Sequence, residues 1–407
     1  MNDIFEYYTL RLTTRSPVHI GSGQKIGKKE FCLLTKTDTL RIMDMEKLIN
    51  YFVYEAPDKQ LELFEEFMIE DRNLKKEKRM GKDGREFTGA DCLEKKWLHS
   101  FLNLIGMPVS ARKKCALYEI SNDGIFQDDK TSCSINTFIR SYDGKAYIPG
   151  SSVKGMLRTA LLQMLIRKNI EKLPAEGEIT REDKAITRLL INTLRLKYKN
   201  NIPDTSDAVN SIMRGIIISD SEPVPNECLT VCKKIDLTSK KGGGELHELN
   251  VIRECIKPYT EIVFHIKLDK RYFCPEGIDI CFKDLFYEMI RSFDEDYRNY
   301  YLSGFSEIDG NLKDLENDFL ILGGGSGYFG KNIIYTRYGF NNGMKKVSEY
   351  MKSKKVWIDK LKTKVQSNPD DYHLHGISPH ILKLTRYQGK LYHMGICDLI
   401  LERTMTE

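Results

Sequence analysis

The sequence predicts an α+β fold in two folding units, on three observations. First, 407 residues are too many for one small core, and ordinary domain sizes make two units the expectation. Second, β-rich alternating runs stand at both ends of the chain. Third, long segments with apolar residues three and four apart lie between them. The composition is 41% hydrophobic and 30% charged with a mean hydropathy of −0.42, which sets aside disordered and fibrous classes.

Residues 7–20 open with Tyr8, Leu10 and Leu12 alternating against Thr9, Arg11 and Thr13, then break at Ser16-Pro17, so a strand running into a loop is expected. Residues 44–54 and 60–71 carry helical spacing, and the charged run 75–85 with its two glycines reads as a solvated hairpin. Residues 117–120 and 135–139 predict short strands. In Tyr147-Ile-Pro-Gly-Ser-Ser-Val-Lys-Gly-Met-Leu-Arg158, Pro149 and Gly150 stop an extended segment and Ser151 or Ser152 is placed to cap a helix. Val153, Met156, Leu157, Ala160, Leu161, Met164 and Leu165 give that helix one buried stripe.

Residues 176–199 are helical in pattern, 203–207 a break, and 215–219 a strand that closes a first unit, 1–222. A second unit, 223–407, grows from residues 247–255 and 261–269, read as two paired strands joined at Pro258-Tyr259. Helices follow over 282–301 and 343–360, and two strands over 381–387 and 391–401 flank Gly389. No short-period repeat is present, which excludes a solenoid.

The formal net charge is +5 and the isoelectric point near 8.5, which permits a basic groove without demanding a nucleic-acid partner. No apolar run approaches the roughly 20 residues that span a bilayer, and residues 1–10 lack a secretion signal, so a cytoplasmic location is expected. The 10 cysteines show no disulfide framework and read as reduced core residues. Cys228, Cys232, His247 and Cys255 are the one conceivable zinc set, with a spacing that fits no common zinc pattern.

Two glycine clusters suggest close approach of another chain's backbone. Gly323, Gly324 and Gly325 with Ser326 precede Gly327, Gly330 and Lys331. The stretch satisfies a dinucleotide fingerprint letter by letter, but no alternation of strands and helices surrounds it. As a P-loop it fails because Asn332 replaces the hydroxyl that would bind Mg²⁺. No cofactor is therefore expected. His19, Gly21, Ser22 and Gly23 form the second cluster, followed by Lys25, Lys28 and Lys29, and His19 is a candidate general base for RNA cleavage without an assignable catalytic partner. Lys154 and Arg158 oppose the macrodipole at the start of their helix, so a phosphate held at that terminus accounts for them. Alternation over 381–387 puts Lys383 with Thr385 on one face and Arg386 at the strand end.

Taken together, His19-Ile-Gly-Ser-Gly23, Ile148-Pro-Gly-Ser-Ser-Val-Lys-Gly-Met-Leu-Arg158, the cluster 323–330 and Ser378-Pro-His-Ile-Leu-Lys-Leu-Thr-Arg386 resemble the RAMP proteins of type III-A CRISPR systems. Gly215-Ile-Ile-Ile-Ser-Asp-Ser221 and Arg253-Glu-Cys-Ile-Lys-Pro258 fit the branch that caps the crRNA 3′ end in the Csm effector complex, so the resemblance runs over nearly the whole chain. It implies two ferredoxin-like, RRM-related domains with helical insertions, one in 1–222 and one in 223–407. It also implies a non-catalytic subunit that binds crRNA, contacts backbone and small Csm subunits, and assists guide maturation by protecting RNA or by recruiting host nucleases; the rival readings are a metal-independent endoribonuclease that processes precursor crRNA, with His19 as its base, and a purely structural adaptor. RNP-type aromatics are missing, so phosphate and backbone contacts from loops are the expected mode of RNA binding.

Overall fold

The computed structural model describes residues 4–404 except 70–77, 81–85, 89–96, 127–133, 197–207, 240–243, 276, 277, 279, 306–316, 355, 359–364 and 368–374. Strands of the first part are β1 (Phe5–Thr14), β2 (Gly21–Ile26), β3 (Phe31–Leu34), β4 (Thr39–Met43), β5 (Lys78–Met80), β6 (Glu86–Thr88), β7 (Ala116–Ser121), β8 (Ile135–Phe138) and β9 (Ile216–Ile218). Later come β10 (Leu229–Thr238), β11 (Glu245–Ile256), β12 (Glu261–Asp269), β13 (Leu320–Ile321), β14 (Val356–Ile358), β15 (Val365–Ser367), β16 (Ile381–Tyr387), β17 (Lys390–His393) and β18 (Ile396–Arg403). The helices are α1 (Met45–Tyr54), α2 (Asp58–Met68), α3 (Leu98–Leu104), α4 (Val109–Lys114), α5 (Gly150–Lys168), α6 (Ile179–Leu190), α7 (Phe282–Tyr300) and α8 (Ile334–Lys354). The α+β expectation holds: helices pack on two large sheets.

One sheet runs β13-β18-β1-β12-β9, antiparallel throughout. With α5 between β1 and β9, and α7 between β12 and β18, the series β1-α5-β9-β12-α7-β18 is the βαββαβ pattern of a ferredoxin-like unit. Tyr8, Leu10 and Leu12 are buried as their alternation predicts, facing a core with Phe264, Ile266 and Leu401. This unit takes strands from both sides of residue 222, and the 222/223 division falls between its β9 and β12. One continuous buried core joins residues of both large sheets. The second large sheet runs β2-β8-β11-β10-β7-β4-β3, with the β16–β17 hairpin joined to β10.

Residues 247–255 and 261–269 are strands but do not pair with each other: β11 pairs β10 and β12 pairs β1. Between them Pro258 ends the extended run and Tyr259 takes φ +61°, turning the chain from one sheet into the other. Residues 391–401 likewise form two strands, β17 and β18, parted at Gly395 (φ +87°), where a Cβ would stand 2.3 Å from the Leu322 carbonyl oxygen. The predicted helix over 343–360 begins earlier, at Ile334, and is kinked at Gly339. It ends at Lys354, and residues 356–358 of the predicted helix are instead strand β14, paired with β15; the helix predicted over 176–199 is α6 and stops at Leu190. Residues 355, 359, 360, 197–199 and 203–207 and most of the 75–85 run lie outside the described residues; what is described of that run is β5, which pairs β6.

Helices α1–α4 pack on the β3–β4 hairpin around a separate small core of Met43, Leu48, Phe52, Phe64, Leu98, Phe101 and Leu102, the helical insertion the sequence implied. Phe52 and Phe64 stack there at 4.2 Å. Helix α5 differs from its predicted single stripe. Leu162, Gln163 and Ile166 are buried as well, because α6, α7 and α8 close around its second half.

Candidate nucleic-acid interface

The chain leaves β1 through Ser16-Pro17 and is pinned by reciprocal backbone hydrogen bonds between Val18 and Ile256, which deliver His19 beside β11. The His19 imidazole is buried, with Nδ1 2.7 Å from the Glu254 carbonyl oxygen; since that oxygen only accepts, Nδ1 carries the proton. Burial, then the nearby Arg253 charge, lowers its pKa to about 4, so the ring is neutral near pH 7.

His19 touches the distant glycine cluster directly. Its carbonyl oxygen accepts the Gly324 N–H at 2.7 Å, and a Cβ on Gly323 would stand 2.5 Å from that oxygen. Gly323, Gly325 and Gly327 have φ of +94°, +77° and +104°, while the residues between them do not. Ser326 is buried and its hydroxyl donates to the Gly323 carbonyl at 2.9 Å, which closes the loop on itself. On one side of the loop lies Arg253, whose guanidinium carbon is 2.9 Å from the Cβ position of Gly325. On the other lies the stem of Lys383, 3.7 Å from that of Gly327. The loop is preceded by β13, antiparallel to β18, which removes the parallel strand–helix frame a dinucleotide site requires.

The structure thus joins His19, Gly21, Gly323, Gly324, Gly325, Ser326 and Lys383 in one cradle, Gly21 lying beside the imidazole. The Lys383 ammonium is held by both carboxylate oxygens of Asp236 at 3.1 Å, and Lys234 approaches the same group at 3.3 Å. Burial holds the Lys383 pKa below the ordinary lysine value despite that partner. Ser22 donates to or accepts from the Thr137 hydroxyl at 2.6 Å, and Gly23 (φ +84°) sits on the exposed β2 strand that leads away. Lys331 is exposed in the short turn after the loop, and Arg386 is fastened to the Gly389 carbonyl at the β16–β17 turn.

Helix α5 begins at a separate place. Neither Ser151 nor Ser152 caps it; Pro149 holds the cap position and the Gly150 N–H donates to the Asp220 carboxylate at 2.9 Å. A Cβ on Gly150 would stand 2.3 Å from the Ile218 carbonyl, so the serines are displaced one step into the helix by the tight approach of β9. Arg158 reaches the Thr187 hydroxyl at 3.3 Å, and burial lowers the Lys154 pKa. Among the described residues no hydrogen bond or ion pair links this helix start to the glycine cradle.

The proposed zinc set does not converge. Cys232 and Cys255 cluster with Met394, but His247 stands eight residues from Cys255 along β11, on the order of 25 Å. Arg253 was missed as a site residue because a single cation inside a β-rich run carries no local signal. Only the pairing of β11 with β10 and the arrival of a loop from residue 323 onward give it a role.

A model of the RAMP superfamily matches residues 11–330, and the chain belongs to that superfamily. It is 28% identical over 428 residues to the CRISPR system Cms protein Csm5 of Mycobacterium tuberculosis, covering 99% of this chain and 100% of that protein. The protein of the same name from Streptococcus thermophilus is 28% identical over 348 residues, covering 82% of each. Among solved structures, a chain of a Csm-crRNA-target RNA ternary complex of a type III-A CRISPR-Cas system matches with a TM-score of 0.62 at 17% identity, covering 97% of this chain and 100% of that one. The crystal structure of T. onnurineus Csm5 matches with a TM-score of 0.51 at 16% identity, covering 77% and 89%. No described helix is long and apolar enough to cross a membrane.

Proposed function

We propose that this chain is the crRNA-binding cap subunit of a type III-A CRISPR Csm complex, holding the guide near its 3′ end and assisting its maturation in antiviral defence. The observation that carries the reading is the end-to-end match to proteins named Csm5, joined to the fold shared with a chain of a Csm-crRNA-target RNA complex. Its partners on this reading are crRNA, the backbone and small Csm subunits, and a host nuclease that trims the guide. The two glycine segments, with Lys383 beside them, supply backbone amides and charge for a phosphate backbone, while Ser22, Gly23, Lys331 and Arg386 extend the contact outward. The α5 start, with Ser151, Ser152, Lys154 and Arg158, is a second, separate contact.

The subunit on this reading is non-catalytic. A general base must titrate near the working pH and reach its substrate, and His19 is buried, neutral and committed to the Glu254 carbonyl. The test is guide length: complexes purified from cells lacking this chain carry longer, untrimmed guides. Mature guides of unchanged length in those cells contradict the maturation role.

A further inference from the structure

We infer that the open face of the β13-β18-β1-β12-β9 sheet is a base-stacking site for single-stranded RNA, with Tyr7 and His265 as its two ring platforms. Helices α5 and α7 cover the other face of that sheet, where Leu10, Leu12, Phe264 and Ile266 are buried. Alternation along β1 and β12 leaves Tyr7 and His265 exposed on the open side. The register sets one row across it: Ile217 beside Lys267, and Lys267 beside Tyr7, whose carbonyl oxygen accepts the Thr404 N–H at 2.8 Å. In the next row Thr9 pairs His265, and the Ser219 hydroxyl accepts the His265 backbone N–H at 3.0 Å. The two rows border an open recess of about 480 Å³ lined by Tyr7, Ile217, Ser219, His265, Lys267 and Thr404. Tyr7 and His265 are diagonal neighbours, about 7–8 Å apart by antiparallel geometry, so each ring can take one of two successive bases.

Three features of the face select RNA over a protein partner. First, the rings stand on the two central strands of a ferredoxin-like sheet, the position from which aromatic side chains stack bases in sheet-type RNA readers. No local motif announces them, since each strand supplies one ring. Second, the charge is complementary. The Lys267 ammonium lies 3.9 Å from the Phe5 ring centroid and 5.9 Å from that of Tyr7, and it makes no ion pair among the described residues. Carboxylates of the same face are engaged elsewhere: Asp269 holds Arg271 at 2.9 and 2.7 Å, and Glu261 and Glu402 hold Arg11 at 2.9 and 3.4 Å. A cation beside an aromatic platform serves a phosphate and its base together. Third, a protein-docking patch needs contiguous apolar surface, whereas the exposed apolar side chains of the recess are Tyr7 and Ile217, set among hydroxyls, an imidazole and a charge.

This site adds base contacts to the phosphate contacts of the proposed function, and it does not rest on the chain being a cap subunit. The experiment titrates the full chain, as wild type, Tyr7→Ala, Tyr7→Phe and Lys267→Ala, into an end-labelled single-stranded RNA and into an abasic strand of the same length, read by fluorescence anisotropy. Tyr7→Ala weakens binding of the base-bearing strand by about five- to 150-fold, the range for one lost stack, and leaves the salt slope unchanged. Tyr7→Phe, which keeps the ring, retains the affinity. Lys267→Ala lowers the slope of log affinity against log salt by about 0.7, the value for one phosphate contact. The abasic strand binds wild type and Tyr7→Ala equally. Melting temperatures stay with the wild type because both side chains lie on the solvent face; should Tyr7→Ala fail to fold, His265→Ala carries the same comparison. A Tyr7-dependent loss confined to the base-bearing strand supports the site even if guides keep their length in cells lacking the chain. Wild type that binds that strand no more tightly than Tyr7→Ala, absence of binding by both included, overturns it, wherever else the chain holds a guide. Equal losses on both strands overturn it too, as does unchanged RNA affinity in a Tyr7→Ala chain that no longer joins the other subunits, which makes the face a protein interface.

Discussion

The Gly324 amide N–H donates to the His19 carbonyl oxygen at 2.7 Å, tying the loop after β1 to the loop after β13. The approach is tight enough that Gly323 has no room for a side chain. Gly323→Ala combines that clash with a φ of +94° and is expected to destabilise the protein by about 1–3 kcal/mol, read by denaturant unfolding. Gly144→Ala, also at positive φ but with open space around it, is expected to cost about 1 kcal/mol, and equal losses would show that the contact with His19 is unimportant.

His19 gives a pH signature. Its folded pKa of about 4 lies below the unfolded value, so between about pH 6.5 and 4 the unfolded chain binds the extra proton and stability falls as pH falls. Relative to His19→Gln, the wild type loses on the order of 1.4 kcal/mol per pH unit across that window. Parallel stability curves for the two proteins would mean that His19 is not buried neutral.

Glu254 is fully buried between Tyr118, the Phe138 amide and Arg140, and burial raises its pKa although those partners oppose the rise. Glu254→Leu strands the Arg140 charge and the Tyr118 hydroxyl and is expected to destabilise by about 3–5 kcal/mol, measured by chemical denaturation. A loss below about 1 kcal/mol would show that the network tolerates an apolar replacement.

At the start of α5, Lys154→Ala with Arg158→Ala is expected to lower the salt slope for single-stranded RNA by roughly 1.4 while the melting temperature hardly changes. The buried face of Val153, Met156 and Leu157 is untouched by these changes. An unchanged slope with a lowered melting temperature would reassign both cations to structure, Arg158 through its bond to Thr187.

Local elements were legible in the sequence wherever one face is buried. The alternation around Leu10 and Leu12 and the apolar spacing from Val153 to Leu165 each report a neighbour that the residue pattern must satisfy. The pairing of strands was not legible, because β11 and β12 look like a hairpin until Tyr259 turns the chain between sheets. For the same reason the sequence does not show that one antiparallel sheet takes β1 and β18 from the two ends of the chain and β9 and β12 from its middle. The glycine segments were visible as sequence, since only glycine permits such close approach, whereas their mutual contact and the position of Arg253 exist only in three dimensions.

The central claim, that this chain holds the 3′ portion of a guide, is tested most directly by crosslinking RNA within the assembled complex and sequencing both the peptide and the nucleotide of each adduct. The account predicts adducts on peptides containing residues 19–23, Arg253 and 323–327, joined to nucleotides near the guide 3′ end. Adducts on the neighbouring subunits with none on this chain, or adducts confined to the guide 5′ end, would contradict it.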